Sequence, residues 1–123
     1  YLLHEFLSAH TRPGKYGGSF ENRTRIMREI IAGIRADGND IDVIVRLSAF
    51  DFVPFRPDAD RSQSGKLGPG IPEDFSSCLP YHYGFGLNPD NPLEVDLAEP
   101  IQVVKLCAEL GVKLVSLSAG SPY

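Results

Sequence analysis

The sequence predicts an α/β fold made of about two helix–strand units, and three observations support this fold class. Apolar residues recur at helical spacing near 20–36 and again near 99–110. A short run rich in Val, Ile and Leu follows each stretch, near 42–48 and 113–118. Glycine follows both helical stretches, as is common at helix ends. Strands connected through a helix within one sheet run parallel, so we expect a parallel pair.

Sequence signals mark both ends of the first predicted helix. Ser19 precedes it with a hydroxyl suited to an N-cap, and Glu21 places an acid in the first turn. Gly38 follows it and accepts the left-handed conformation of a helix end. One apolar stripe lies between these signals and consists of Ile26, Met27, Ile30, Ile31 and Ile34. We expect Glu21 and Arg23 to tie the preceding loop to the body of the domain.

The first predicted strand contains one charged residue. Period-two alternation gives it an aliphatic face, which we expect to pack against the helices and which consists of Val43, Val45 and Leu47. Arg46 lies on the opposite face between Ile44 and Ser48, and Ser116 and Ser118 alternate toward that same face. A charge on a buried strand needs an anionic partner. Either a bound ligand or a carboxylate of the next strand or loop would meet this need.

Residues 49–97 form a long segment between the first strand and the second helix, which Pro100 begins. The segment is rich in proline, and its aromatic residues are Phe50, Phe52, Phe55, Phe75, Tyr81, Tyr83 and Phe85. Disordered segments are poor in aromatic residues, so we expect an ordered loop. Tyr81, His82 and Tyr83 are candidates for a lid over a substrate. A loop folded on its own aromatic side chains would explain the same pattern.

Composition and charge exclude several classes of protein. The net charge of −4 and pI near 5.3 argue against non-specific binding of nucleic acid. No apolar run reaches the roughly 18 residues of a membrane span. Two cysteines, Cys78 and Cys107, favour a reduced, cytoplasmic setting over a disulfide framework, with Cys107 in an apolar helical pattern. The three histidines lack the spacing of a metal site, so we expect no metal.

Three segments carry a resemblance to a known family: YLLHEFLS at 1–8, YGGSFENR at 16–23 and DVIVRLS at 42–48. In this order they resemble the middle of the old yellow enzymes, FMN-dependent NADH:flavin oxidoreductases built on a TIM (β/α)8 barrel. The resemblance implies an ene reductase that passes hydride from NAD(P)H through FMN to an electron-poor alkene or a similar acceptor. It runs from the end of the family's fourth strand to the end of its sixth.

The same resemblance implies that residues 1–123 are the central part of a TIM-barrel flavin-binding domain. A complete barrel needs about 250 residues, and this chain starts inside a motif at Tyr1. We therefore expect a partial barrel with a long loop insertion at 49–97, excised from a longer enzyme and inactive by itself. The family's substrate-binding histidine pair and its flavin phosphate site would lie outside the chain.

The resemblance assigns roles to two residues. The arginine of the matching strand, here Arg46, contacts the pyrimidine edge of the flavin, where a guanidinium stabilises negative charge. The matching tyrosine, here Tyr1, donates the proton to the substrate carbon opposite the one that receives hydride. His4 does not match the substrate-binding histidine pair. The segment 10–15 is shorter than in the family, so the local loop geometry departs from the family pattern.

Two other interpretations fit the predicted fold. Another TIM-barrel enzyme, of lyase or aldolase type, would need a Schiff-base lysine at a strand end, but Lys113 begins its strand. Alternatively, the chain is a non-catalytic αβ fragment that associates with itself through open sheet edges and an apolar face. The expected partners are a small-molecule substrate and, as an open option, further copies of the chain, with neither nucleic acid nor membrane.

Overall fold

The computed structural model describes residues 2–38 and 40–119. Its helices are α1 (Leu2–Glu5), α2 (Phe20–Ala36) and α3 (Ala98–Glu109), with a short 3-10 helix at Ser76–Cys78. Its strands are β1 (Ile44–Ser48), β2 (Phe55–Pro57), β3 (Gly70–Pro72) and β4 (Leu114–Ser118). The two long helices and the strands that follow them lie where the sequence predicts, within two residues at each end.

β1 and β4 form a two-stranded parallel sheet, which confirms the predicted pairing. The register places Arg46 opposite Ser116 and Ser48 opposite Ser118. α3 lies between the two strands in the chain and turns back into β4 at Gly111, whose φ of 73° is left-handed. The molecule is thus mixed α/β around a small parallel sheet.

α2 begins and ends at the predicted signals. The Ser19 hydroxyl accepts a hydrogen bond from the Asn22 amide at 3.3 Å, which makes it the N-cap. After the helix, Gly38 has a φ of 69°, a conformation that favours glycine. These local signals depend on neighbouring residues only, and for this reason the sequence predicts them well.

The hydrophobic core lies on one face of the sheet. Its buried members come from all parts of the chain and are Leu7, Leu47, Phe85, Val103 and Cys107. Val45 packs against this cluster, whereas Ile44 and Arg46 on the opposite face are exposed. This confirms the predicted alternation of β1. Burial raises the pKa of the Cys107 thiol, as expected for a small core residue.

The segments predicted as loops contain more regular structure than the sequence indicates. α1 occupies part of the stretch 1–18, which its glycines mark as a loop. Within 49–97, β2 and β3 form an antiparallel hairpin, and the Val53 and Phe85 side chains are buried. The order expected from the aromatic residues is confirmed. Short strands of three residues carry too little periodicity to be predicted.

Two apolar surfaces remain uncovered in the described part of the chain. A cleft of about 290 Å³ follows the β1 edge that faces away from β4, and α2 side chains such as Ile30 and Ile34 line it. A second cleft of about 390 Å³ lies between α3 and β4 and is lined by Ile101 and Leu117. Leu117 is 60% exposed, which is unusual for a leucine on a parallel strand.

Candidate active-site face

Arg46 lies at the centre of the open face of the sheet. β1 places it there because strand residues alternate, and its neighbours on the aliphatic face are partly buried at Val45 and buried at Leu47. Small hydroxyl side chains surround the position: Ser116 is opposite, and the Ser48 and Ser118 hydroxyl oxygens are 3.3 Å apart at the ends of the strands. The face therefore combines one guanidinium with free volume above it.

The Arg46 guanidinium forms no ion pair or hydrogen bond with any side chain in residues 2–38 and 40–119, although six other pairs occur there. The alternative of a structural carboxylate partner thus finds no support in the described chain. Arginine offers five N–H donors in a planar fork, a geometry that suits oxygen and ring-nitrogen acceptors arranged along an edge.

A second arrangement lies beyond the end of β1, at Asp51. The His4 Nε2–H donates to Asp51 Oδ1 at 2.8 Å, and the Phe85 amide donates to Asp51 Oδ2 at 2.8 Å. The Asp51 amide in turn donates to the Phe85 carbonyl at 2.8 Å. We call these three residues the Asp51 junction. It connects α1, the segment that follows β1, and Phe85 at the end of residues 81–85, which we call the aromatic loop.

The electrostatics of the junction favour the ionised carboxylate. Burial raises the pKa of Asp51, but hydrogen bonds from His4 and the Phe85 amide outweigh it, so the pKa lies below its ordinary value of 3.8. The His4 ring also meets the Phe85 ring edge-on, with centroids 5.9 Å apart. Nδ1 of His4 is buried without a hydrogen-bond partner among the described residues.

The predicted lid residues form an aromatic pair and a histidine contact. The Tyr81 and Tyr83 rings are 5.5 Å apart in an edge-to-face arrangement, and Tyr83 is 62% exposed. Burial raises the pKa of Tyr81, with smaller contributions from Cys78 and Asp51. His82 instead turns toward His10, at 5.9 Å between ring centroids. No described hydrogen bond, ion pair or ring contact joins these residues to Arg46.

His10 and His82 line a polar cavity of about 210 Å³, together with Asp96 and Glu99. Burial, then the nearby Arg23 cation, lower the pKa of His10. In the described part of the chain no three His, Cys, Asp or Glu residues converge as metal ligands would. None of the described helices has the length and apolar character needed to cross a bilayer.

Arg23 is a structural residue whose partner the sequence did not reveal. It is buried, and its guanidinium donates to the Gly18 carbonyl at 2.8 Å, the Leu7 carbonyl, and Glu99 at 2.9 Å. The prediction that Arg23 ties the loop to the body of the domain is confirmed. For Glu21 it is wrong, because that carboxylate pairs along the helix with Arg25 at 3.3 Å. The one sequence signal that could have pointed to Glu99 as a structural residue is its position in the first turn of α3, where an acidic side chain is favoured.

Tyr1 and Lys113 are the two remaining residues that the sequence singles out. Tyr1, the expected proton donor, lies outside the described residues. Lys113 directly precedes β4, and its amide donates to the Val43 carbonyl at 3.0 Å, which places it beside the residue before β1. It therefore lies at the opposite end of the sheet from Ser48 and Ser118, as the sequence predicts.

Comparison with known proteins assigns the chain to a protein family. The family model of the NADH:flavin oxidoreductase / NADH oxidase family matches residues 1–64, which include α1, α2, β1 and the Asp51 position. The chain belongs to this family of flavin-dependent oxidoreductases. It is 47% identical over 58 residues to an NADH:flavin oxidoreductase of Gibberella zeae. That match covers 45% of this chain and 14% of the relative, so the chain spans a small part of the relative's length.

FMN is the cofactor and NADH the reductant for which this family is named. The residues present fit one edge of FMN. Arg46 supplies a guanidinium without an anionic partner in the described chain, and Ser116 and Ser118 leave space on the same face. A cation with a fixed set of donors suits the carbonyl and ring-nitrogen acceptors of the flavin pyrimidine edge.

Proposed function

We propose that this chain is the central part of an FMN-dependent ene reductase, which transfers hydride from NAD(P)H to an electron-poor alkene or a similar acceptor. FMN, when bound, would accept the hydride from NAD(P)H and pass it to the acceptor. The observation that carries the proposal is Arg46, a cation on an open strand face among serine side chains. The family match over residues 1–64 supports the same assignment.

Arg46 would hold the pyrimidine edge of the cofactor. Its N–H groups donate to acceptors there, and its charge stabilises the negative charge that the cofactor gains on reduction. Because Arg46 lies on β1, the sheet sets its backbone position and only its side chain would adjust to the cofactor. The serine hydroxyls beside it are too small to fill the face themselves.

Tyr1 would be the proton donor to the alkene. The residue immediately precedes α1, and α1 is held to the end of β1 through His4 and Asp51. A phenol has an ordinary pKa near 10, so it is a weak acid until hydride arrival makes the substrate carbon basic. Proton transfer is then favourable at the moment at which it is needed.

The aromatic segment Tyr81, His82 and Tyr83 would cover the substrate. The exposed Tyr83 ring and the Tyr81 ring beside it give the loop an apolar surface that planar substrates can stack on. The segment ends at Phe85, whose backbone is hydrogen-bonded to Asp51 on both sides. It is therefore held near the ends of the strands rather than at the opposite end of the sheet.

The uncovered edges of the sheet support a place within a TIM barrel. In a barrel every strand is paired on both sides, and helices cover its outer face. Here the cleft along β1 and the apolar groove between α3 and β4 lie where neighbouring strand–helix units would pack. Residues 1–123 would then form two units of a flavin-binding domain, with 49–97 as an insertion on the active-site face.

The experiment uses the full-length protein that contains this chain. The purified protein should carry FMN, NADH should reduce it anaerobically, and mixing with an α,β-unsaturated ketone should reoxidise it with formation of the saturated ketone. The matched control substrate is the corresponding saturated ketone. It has no activated C=C bond to accept hydride, so it should not reoxidise the enzyme. Purified protein that neither binds FMN nor is reoxidised by any electron-poor alkene would contradict the proposal.

A further inference from the structure

The Asp51 junction joins the three parts of the chain that carry candidate functional groups. His4 lies on α1, and this helix begins at the residue after Tyr1. Asp51 lies on the segment that continues from β1 and Arg46. Phe85 follows two residues after Tyr83, so the carboxylate on the segment after β1 is hydrogen-bonded to both of the other segments.

The contacts of Asp51 are directional and complete. Its two carboxylate oxygens accept from different segments, His4 Nε2 on Oδ1 and the Phe85 amide on Oδ2, each at 2.8 Å. The Asp51 and His4 side chains are 17% and 18% exposed. Hydrogen bonds to a charged, mostly buried acceptor hold their donors at short distances and narrow angles. The junction therefore fixes the mutual placement of the segments, which apolar packing alone would leave looser.

A mostly buried carboxylate–imidazole pair is a costly way to obtain stability, since apolar residues of similar volume often do as well. Such a pair is better explained by a requirement for one defined geometry. The unpartnered Nδ1 of His4 adds to this cost, because a buried polar atom without a hydrogen bond is unfavourable. Only Nε2 of the imidazole is used, and it is used on the residue that links β1 to the aromatic loop.

We propose that Asp51, acting through His4, is a positioning residue that sets the location of α1 and the aromatic loop relative to the Arg46 strand. This role rests on the proposed function, in which Tyr1 delivers a proton while the aromatic loop covers the substrate. Misplacing a reacting group by about 1 Å costs roughly a hundredfold in rate. The junction thus affects proton delivery without contacting the substrate.

A purely structural role makes a different prediction, and the chain offers a matched control. Arg23, which is buried, and Glu99, which is partly buried, form an ion pair between distant segments, and no described contact joins that pair to Asp51. Glu99→Gln should lower the melting temperature. It should either slow both half-reactions by similar factors or slow neither of them. Asp51→Asn keeps an acceptor for the Phe85 amide but removes the charge that holds His4.

In the full-length enzyme, we expect Asp51→Asn to slow alkene reduction by between about tenfold and a hundredfold, while NADH-dependent reduction of FMN and FMN affinity change less than about twofold. His4→Gln places an amide nitrogen within reach of Asp51 and should retain most of the rate, whereas His4→Leu should not. In a Tyr1→Phe background, Asp51→Asn should add little further loss. A full additional loss in that background, or equal slowing of both half-reactions, would overturn the positioning role.

Hydrogen exchange separates this inference from the proposed function. Asp51→Asn should increase amide exchange in peptides covering 2–8 and 81–86, and Glu21→Gln, whose carboxylate pairs with Arg25 within α2, should leave both peptides unchanged. Unchanged amide exchange in Asp51→Asn would show that Asp51 does not hold these segments in place, even if the enzyme is active. A wild-type protein without flavin chemistry would sink the proposed function and the role in proton delivery, and exchange would still report whether Asp51 fixes the segments.

Discussion

Arg46 lies directly opposite Ser116 in the parallel register of β1 and β4. The pairing places a cation beside a side chain too small to cover it, on the strand face that points away from the core. Because the strands are parallel, Ser48 and Ser118 extend the same small-residue surface toward the ends of the strands. The proposed cofactor site depends on this relationship.

Removing the proposed proton donor should separate the two half-reactions. In the full-length protein, Tyr1→Phe should slow alkene reduction by about 10²–10⁴-fold, the usual cost of losing a general acid. Reduction of the cofactor by NADH needs no proton from this residue and should stay near the wild-type rate. Anaerobic stopped-flow measures both steps separately. Equal slowing of the two would indicate a structural tyrosine instead.

Removing Glu99 should destabilise the protein more than removing an exposed glutamate. Glu99→Ala leaves the Arg23 guanidinium buried without a carboxylate, which typically costs about 3–5 kcal/mol in unfolding free energy. We expect the lower end of that range, since the Leu7 and Gly18 carbonyls still accept from Arg23. Chemical denaturation measures the difference.

Glu21→Ala is the control for that measurement. Glu21 is 75% exposed and pairs with Arg25 within one helix, so its loss should cost less than about 1 kcal/mol. Similar losses for the two variants would show that the Arg23 contact contributes no more than a surface pair.

The contribution of Asp51 to stability should depend on pH in one direction. Its pKa in the folded protein lies below the ordinary 3.8, so the folded state favours the ionised form. The resulting stability is fully present above pH 3.8 and is lost as the pH falls through the lower folded pKa. Asp51→Asn should therefore lower the apparent Tm at pH 7 and at pH 5 by similar amounts.

Below about pH 4 the difference in Tm between wild type and Asp51→Asn should shrink, because the unfolded wild-type chain takes up a proton at Asp51 before the folded protein does. Thermal unfolding followed by fluorescence across this range checks the trend. A difference that grows toward acid pH would mean that the Asp51 carboxylate is not stabilised in its ionised form.

The 123-residue chain expressed by itself should associate and should not retain FMN. Leu114 and Leu117 of β4 and Ile44 of β1 are each more than half exposed, and both strands have a free edge in the described chain. One charged contact at Arg46 gives about 1.5–3 kcal/mol, less than the cost of ordering a bound cofactor. Light scattering and visible absorbance test this, and a yellow monomer would contradict it.

Local patterns predicted most of the fold, and long-range contacts were not predicted. The stripe of α2, the Ser19 cap, Gly38 and the alternation around Arg46 all depend on neighbours in sequence, and each appears as expected. His4 and Asp51 lie 47 positions apart, and no periodicity relates them. Arg23 and Glu99 are separated by 76 positions. The sequence therefore indicated that Arg23 holds the loop in place, but not that Glu99 is its partner.

The most direct test of the central claim is FMN titration of the full-length protein with Arg46→Ala, with Arg46→Lys as the conservative control. Loss of a charged hydrogen bond worth about 1.5–3 kcal/mol predicts FMN binding weaker by about tenfold to a hundredfold. The midpoint potential should fall as well, since the more negatively charged form of the cofactor loses its counter-charge. Arg46→Lys should keep much of the potential but less of the affinity. Unchanged affinity and potential in Arg46→Ala would remove Arg46 from the cofactor site and contradict the account.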